Sequence, residues 1–395
     1  MYKRIVQYGN LIVLALLAFE LFSTVLIQYS VATDLRFGMA YAFSVLDRRF
    51  ILIDLALILV IVFLKKYTLQ QWMILGALFS IFTYQYLFVD PTNFFKISLN
   101  AVLFLFALKD IELKTIFKTV IISELSAFVI IIGLFVIGLL PNTTQLGRLG
   151  VIRNGLGFAN KNHMFILVNI VLAFYGTLKD NKKIITPILL FVITSFFYFQ
   201  SYNRTAYLLL TILIGYWLIK NLFPKYTQLM NRLLLYGNRV FILLGPLLMY
   251  VSAYFYSPNS KLLSYMNVLL SGRIRMGHEY VINNTVNLLG NKLEFVNQFS
   301  SNFRGVELLL DSGFLRLIIN FGVLITIIFI VYAWKLSTKL FNSKYSNLLI
   351  ILFIELLFLI TESYPFQMET SLLFVLGVVL FKEKTTSDDK LSGGS

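Results

Sequence analysis

The chain contains no cysteine, only two histidines and few charged residues, which make up 13% of its 395 residues. Without cysteine it can form no disulfide, no thiol nucleophile and no cysteine-based zinc site. His163 and His278 alone are too few for a histidine-rich metal site. Because soluble domains carry charge on about a quarter of their residues, the scarcity of charge also argues against a water-soluble fold.

Apolar side chains are abundant instead, since 58% of the residues are hydrophobic and 16% are aromatic. A helix needs about 20 largely apolar residues to cross a bilayer, and by this criterion we predict about 12 spans. The sequence therefore predicts an all-α integral membrane protein with both termini in the cytoplasm. The predicted spans cover residues 10–32, 46–64, 71–89, 93–108, 116–140, 163–178, 184–200, 205–222, 238–256, 313–334, 346–362 and 366–381.

The spans are expected to belong to a single polytopic domain, residues 1–385. The apolar segment after the initial MYKR is expected to be a first span, because no small-residue cleavage site of a signal peptide follows it cleanly. Residues 386–395 are expected to be a cytoplasmic tail, and its final LSGGS resembles an expression scar.

The basic residues divide unevenly between the two predicted faces. A formal net charge of +15 would suggest a nucleic-acid partner for a soluble protein, but a membrane location removes that expectation. Every predicted inner connection carries at least two basic residues, mostly lysine, in agreement with the positive-inside rule. The predicted outer segments carry mostly arginine, whose planar fork of donors suits phosphate. These outer arginines include Arg148, Arg153, Arg204, Arg273, Arg275, Arg304 and Arg316.

Two predicted outer segments are long, and together they form the expected active-site face. Residues 141–162 are rich in glycine and asparagine and are expected to be irregular. Residues 257–312 contain the apolar stretches Lys261–Leu270 and Val281–Leu289. We predict that these stretches form one or two short amphipathic helices that lie on the membrane surface.

Four polar clusters lie on this face, and each has a structural alternative. An exposed arginine can extend to the lipid headgroups, a polar run can simply be solvated, a glycine-rich loop can be flexible, and Asp or Ser can cap a helix. Their common placement nevertheless favours one shared site. The clusters supply Arg204 in SYNR, Arg273, Arg275, His278 and Glu279 in SGRIRMGHE, Asp311 in DSGFLR, and Arg153, Lys161 and His163 in RNGLGFANKNH.

Clustered arginines at an outer cavity suit a lipid pyrophosphate, because they stabilise the negative charge that grows on the leaving group. A carboxylate or an imidazole could then take the proton of an acceptor hydroxyl. Asp311, His278 and Glu279 are the candidate bases. No outer D-x-D cluster and no phosphate-binding glycine loop occur, which argues against a nucleotide substrate and favours chemistry without a metal or a cofactor.

The order of the motifs is also informative. GLGFANKNH precedes one predicted span, SYNR lies between two, SGRIRMG and LLGN lie in the long late loop, and DSGFLRLIINFG enters the next span. This order resembles that of the Wzy-type polysaccharide polymerases, in the superfamily that includes the O-antigen ligases. The resemblance covers roughly residues 150–325. It implies a metal-independent glycosyltransferase of the C type, with an oligosaccharide on undecaprenyl pyrophosphate as donor.

The resemblance also implies roles for single residues. Arg204 and Arg273 would bind the pyrophosphate, and the growing chain would pass to a new lipid-linked repeat unit outside the cytoplasmic membrane. Ligases of this superfamily carry a histidine just before the span that follows the long loop. This chain has Asp311 there, which favours a polymerase of capsular or O-antigen-type polysaccharide. A chain-length regulator and a flippase would be its partners.

Two other functions stay open, a ligase-like glycosyltransferase and a transporter such as a lipid-linked oligosaccharide flippase. Acids within the predicted spans favour a transporter, although they could equally be protonated or paired inside the bundle. The long outer loop, and the expected lack of internal repeats and broken helices, argue against one. The acids are Glu20, Asp54, Glu124 and Glu355.

Overall fold

The computed structural model describes residues 2–31, 52–89, 93–146, 151–159, 163–178, 184–293, 310–362 and 371–382. Helices dominate the described residues. In chain order they are α1 (Tyr2–Gln28), α2 (Leu52–Leu64), α3 (Leu69–Tyr84), α4 (Asn93–Ala107), α5 (Leu113–Val136), α6 (Met164–Thr177), α7 (Ile185–Ser201), α8 (Arg204–Leu222), α9 (Thr227–Tyr254), α10 (Lys261–Leu269), α11 (Arg273–Asn283), α12 (Gly313–Arg316), α13 (Gly322–Phe341), α14 (Leu349–Thr361) and α15 (Leu373–Gly377).

Six helical runs among the described residues are long and apolar enough to cross a bilayer, by length and composition. Helices α2, α6, α7 and α14, and most of α4, are shorter apolar helices at further predicted spans. The prediction of a helical membrane protein is confirmed at this level, whereas the number and direction of the crossings stay predictions. The six runs are Val6–Ile27, Leu69–Val89, Leu113–Val136, Arg204–Leu222, Pro224–Tyr254 and Gly313–Phe341.

Helix α14 lies at the centre of the bundle, where it packs against α8, α9 and α13. Helix α5 packs against both α1 and α6 beside it, and the exposed helix α3 pairs with the largely buried α4. Helix α9 begins earlier than the predicted span 238–256 because neighbouring helices satisfy its polar side chains. Asn231 accepts a hydrogen bond from Tyr216 Oη at 3.0 Å, and Asn238 donates to Leu349 O at 3.2 Å.

Each acid predicted to lie within a span accepts a hydrogen bond from a neutral donor. Thr24 donates to Glu20 at 3.3 Å, Asn100 to Asp54 at 2.9 Å and Asn169 to Glu124 at 2.6 Å, and Glu355 accepts from Ser371 and from Leu372 N at 2.8 Å each. Buried polar groups of this kind are usually hydrogen-bonded inside the protein. These contacts therefore favour a structural role for the acids.

The helix that follows the long loop is broken at Gly322, where an uninterrupted span was expected. Gly322 has φ +89°, after a π turn over Leu317–Phe321 that continues α12. The loop after α11 lies across the break, because its carbonyl groups at Asn287 and Leu288 accept from Val323 N and Leu324 N at 3.1 Å each. The expectation of no broken helix was therefore wrong.

Two glycines allow the backbones to meet at this break. Gly290 has φ +88°, and a Cβ atom on it would overlap the carbonyl group of Asn320. A Cβ atom on Gly322 would overlap the backbone of Gly290. The buried Gln85 donates through Nε2 to Leu289 O at 2.9 Å and to Phe321 O at 2.6 Å. The LLGN and INFG motifs thus pack directly against each other, and Gln85 joins them.

The two long predicted outer segments are more regular than expected. Residues 144–146 and 152–154 pair as an antiparallel ribbon of strands β1 (Thr144–Leu146) and β2 (Ile152–Asn154), where irregular chain was predicted. In the later segment, α10 coincides with the first predicted amphipathic stretch. The second was misplaced, because α11 precedes it and Asn284–Leu293 forms the loop that docks at the helix break.

Candidate active site

The polar side chains that converge on the face predicted to be outer surround Arg273, the first residue of α11. Arg273 Nη2 lies 2.8 Å from Glu362 Oε1 and 3.2 Å from Asp311 Oδ2. Its Nε donates to Thr361 O at 3.1 Å and its Nη1 to Ser271 O at 3.3 Å. All three nitrogen atoms of the guanidinium group are therefore engaged. We call Arg273, Asp311 and Glu362 the arginine–carboxylate cluster.

Close packing between the start of α12 and the end of α14 brings the two carboxylates together. Gly313 N donates to Glu362 O at 3.2 Å, and a side chain on Gly313 would overlap Leu359. Ser312, rather than Asp311, caps α12, because Ser312 Oγ accepts from Leu315 N. The Asp311 carboxylate is therefore left to bind Arg273.

A second arginine lies close to the cluster. Arg153 on β2 donates from Nε to Ser201 O at 2.6 Å, which ties the ribbon to the end of α7. Burial lowers the pKa of Arg153, and the charges of Glu362 and Arg273 also act on it. Ser201 is the first residue of the SYNR turn and Arg204 is its last, so Arg153 contacts the turn that leads into α8. Arg204 is exposed at the first position of α8.

Glu362 is the first residue after α14, and only 5% of it is exposed. Burial raises the pKa of the Glu362 carboxyl to about 8, and the neighbouring Asp311 adds to this increase, against the effect of Arg273 and Arg153. Asp311 is more open, with 28% of its side chain exposed. The cluster thus pairs a buried carboxyl that can take up a proton near neutral pH with a carboxylate that solutes can reach.

The backbone around the cluster is strained. Among the described residues, positive φ outside glycine occurs at Leu156, Tyr202 and Ser271, with φ of 52°, 48° and 54°. Leu156 follows Arg153 in the same loop, Tyr202 follows the carbonyl group that Arg153 binds, and Ser271 binds Arg273 directly. Residues held in this region often lie at functional sites, where the surrounding structure maintains the strain.

Three predicted site residues on α11 face away from the cluster. Successive side chains on a helix are separated by about 100°, so His278 and Glu279 point away from Arg273. His278 Nδ1 lies 2.8 Å from Ala253 O of α9, and Arg275 and Glu279 are exposed. Tyr280 does share the face of Arg273, because the charges of Arg316 and Asp311 act on it.

His163 is fully buried among aromatic rings rather than joined to the cluster. Its ring is stacked on Phe158 with 5.1 Å between centroids, and lies 6.1 Å from Phe197 and 6.5 Å from Phe128. This environment suits a packing role. Lys161 and Arg304, which were also predicted to bind substrate, lie outside the described residues.

Glu362 was not predicted from the sequence as a site residue. It is the last residue of the predicted span 346–362 and was treated as part of that apolar segment. The signal that could have identified Glu362 is the presence of a carboxyl group at the predicted outer end of an apolar run. Within the described part of the chain, no three Asp, Glu or His side chains are grouped in a way that could hold a metal ion. Metal independence remains a prediction.

Comparison of the chain with protein-family models, curated proteins and solved structures finds no match in any of the three.

Proposed function

We propose that this protein is a membrane glycosyltransferase that polymerises oligosaccharide units linked to undecaprenyl pyrophosphate, on the outer face of the cytoplasmic membrane. The observation that carries the proposal is the arginine–carboxylate cluster, in which Asp311 and Glu362 share one nitrogen atom of Arg273. Its position between the motifs that resemble those of polysaccharide polymerases supports the same function.

The cluster supplies the proton acceptor of the reaction. A hydroxyl oxygen of the acceptor sugar attacks the anomeric carbon of the donor, and the bond from that carbon to the pyrophosphate oxygen breaks. The hydroxyl proton passes to the Asp311–Glu362 pair, and the electron pair of the broken bond stays on the lipid pyrophosphate. Asp311 is the more accessible of the two, and Glu362 is the one whose pKa suits a base near neutral pH.

The arginines divide into two roles in this mechanism. Arg273 orients the carboxylates, because its donors are engaged by them and by two carbonyl groups. Arg204 and Arg153 are better placed to bind the pyrophosphate and to offset its growing charge. The role expected for Arg273, direct binding of pyrophosphate, requires it to release a carboxylate. Protonation of Glu362 during the reaction would permit this.

The break at Gly322 favours a second candidate, a lipid-linked oligosaccharide flippase, since transporters often bind substrates at broken helices. The loop of Asn284–Leu293 already satisfies the backbone groups at this break. We therefore place the flippase second.

Isosteric variants test the polymerase. Glu362→Gln, produced in cells that lack the native protein, should leave the chain folded and abolish long polysaccharide, and Asp311→Asn should reduce it strongly. Glu279→Gln is the matched control, because this exposed glutamate on α11 faces away from the cluster. Normal chain lengths with well-produced Glu362→Gln and Asp311→Asn would refute the proposed role of the pair.

A further inference from the structure

An apolar groove lies between the paired helices α3 and α4 on one side and α13 and α15 on the other. Its cavity volume is about 90 Å³, and the groove is partly open. Its walls include the aromatic rings of Phe82, Phe321, Phe329 and Phe374.

The groove has almost no polar groups that could bind water. Its lining is apolar except for two hydroxyl groups, those of Tyr332 and Ser98. Tyr332 Oη donates to Leu373 O at 2.7 Å, and Ser98 is buried with a partner of its own. A bound water needs two to four polar partners. Hydrocarbon is therefore the occupant that the lining suits.

One end of the groove lies next to α12 along the chain. Its lining includes Leu317 and Phe321 before the break at Gly322, and Ile325 and Tyr332 after it. Arg316 directly precedes Leu317, and Asp311 lies six residues before Leu317. A lipid in the groove would therefore place its headgroup beside these charges.

The peripheral helix next to the groove can admit such a chain from the side. In the helical run Leu69–Val89, only 17% of the apolar segment is buried inside the protein. At the end of this run, the ring of Phe82 packs edge to face on Phe321, with 6.2 Å between centroids. Gln85, in the next turn, donates a hydrogen bond to Phe321 O. This end is firmly attached, whereas Met73, Ile74 and Phe79 face outward.

We propose that this groove holds the part of the polyprenyl chain nearest the headgroup of the lipid-linked donor, while the donor's pyrophosphate lies at the start of α12. This inference rests on the proposed function for the identity of the lipid. The chemistry it needs, a long hydrocarbon chain below an anionic headgroup, is also that of a membrane phospholipid. The experiment therefore compares the two.

The probe is a polyprenyl phosphate that carries a photoactivatable diazirine on its chain, added to the purified full-length protein in nanodiscs. Crosslinked peptides are located by mass spectrometry, with undecaprenyl phosphate or phosphatidylglycerol as competitor. Ile328→Trp fills the groove, because Ile328 lines it. Ile327→Trp is the matched control, since Ile327 is the preceding residue of the same helix and is 53% exposed.

We expect crosslinks on the peptides that contain Phe82, Val102 and Ile328, at least tenfold weaker in Ile328→Trp and unchanged in Ile327→Trp. Undecaprenyl phosphate should compete, and phosphatidylglycerol should not. Equal competition by both lipids, or equal labelling of both variants, would overturn the proposal. The assay needs no catalysis. Groove labelling of the protein, together with long chains in cells that lack it, would therefore refute the proposed function and leave the lipid site.

Discussion

Glu362 and Arg273 lie 89 positions apart in the chain, yet Glu362 Oε1 is 2.8 Å from Arg273 Nη2. The pair joins the end of the central helix α14 to the short helix α11 of the long loop. Asp311, at the start of α12, binds the same nitrogen atom at 3.2 Å. One guanidinium group thus joins three segments that are distant in sequence.

Loss of Arg273 should destabilise the fold as well as stop polymerisation. Removing one partner of a buried ion pair costs about 3–5 kcal/mol, because the other charge stays buried alone. Arg273→Met should therefore unfold at a lower temperature in detergent above pH 8, where Glu362 has lost its proton. The double variant Arg273→Met/Glu362→Leu should recover most of that stability without recovering activity. A double variant that is no more stable than Arg273→Met would show that the pair does not behave as a buried ion pair.

Arg204 tests the binding of pyrophosphate. Arg204→Lys replaces a fork of donors by a point charge, so polymer formation should fall while thermal stability stays unchanged. Arg232→Lys makes the same change at another exposed position, on the face predicted to be inner, and should have no effect. If Arg204→Lys made polymer of normal amount and length, Arg204 would serve only to anchor the protein at the membrane surface.

The proposed base predicts a pH dependence. Burial raises the pKa of Glu362 to about 8, and a base acts in its deprotonated form. The rate should therefore rise with pH and level off above about 8. Asp311→Asn removes a negative charge that helps to raise this pKa, so the midpoint of its residual activity should move to lower pH. Initial rates with a purified lipid-linked repeat unit measure both profiles. A rate that falls across this range, or identical midpoints, would contradict the assignment.

The contact between the LLGN and INFG motifs predicts a large effect of a single methyl group. Gly290→Ala forces a left-handed backbone on alanine and overlaps Asn320, which should cost at least about 1–3 kcal/mol. Gly76→Ala is the matched control, because nothing lies within 4 Å of its added Cβ atom. Thermal unfolding should show a clear loss for Gly290→Ala and none for Gly76→Ala. Equal melting temperatures would mean that the loop is not packed as described.

The helices were largely predictable from the sequence, and the site was predictable only in part. Apolar length alone located α5, α7 and α8 to within a few residues, because a bilayer requires long apolar runs. The start of α9 was misplaced, since Asn231 and Asn238 find partners on other helices. Periodicity gave no sign of the break at Gly322, which depends on a glycine far away in the chain.

The sequence suggested Asp311, His278 and Glu279 as candidate bases, and it gave no reason to prefer Asp311 to the other two. The choice depends on the direction in which α11 faces, and that is fixed by the contact of His278 with Ala253 O. Glu362 could not be connected with Arg273 without the tertiary structure. Residue types that suit a chemistry are thus visible in the sequence, but the pairs that carry it are not.

The most direct test of the proposed polymerase is the size and location of lipid-linked oligosaccharide in cells that lack this protein. Single repeat units should accumulate outside the cytoplasmic membrane, and long chains should disappear. Units trapped inside the cell would identify a flippase and contradict the central claim. Long chains that persist on the lipid without reaching a final acceptor would identify a ligase, and polymerisation would then belong to another protein.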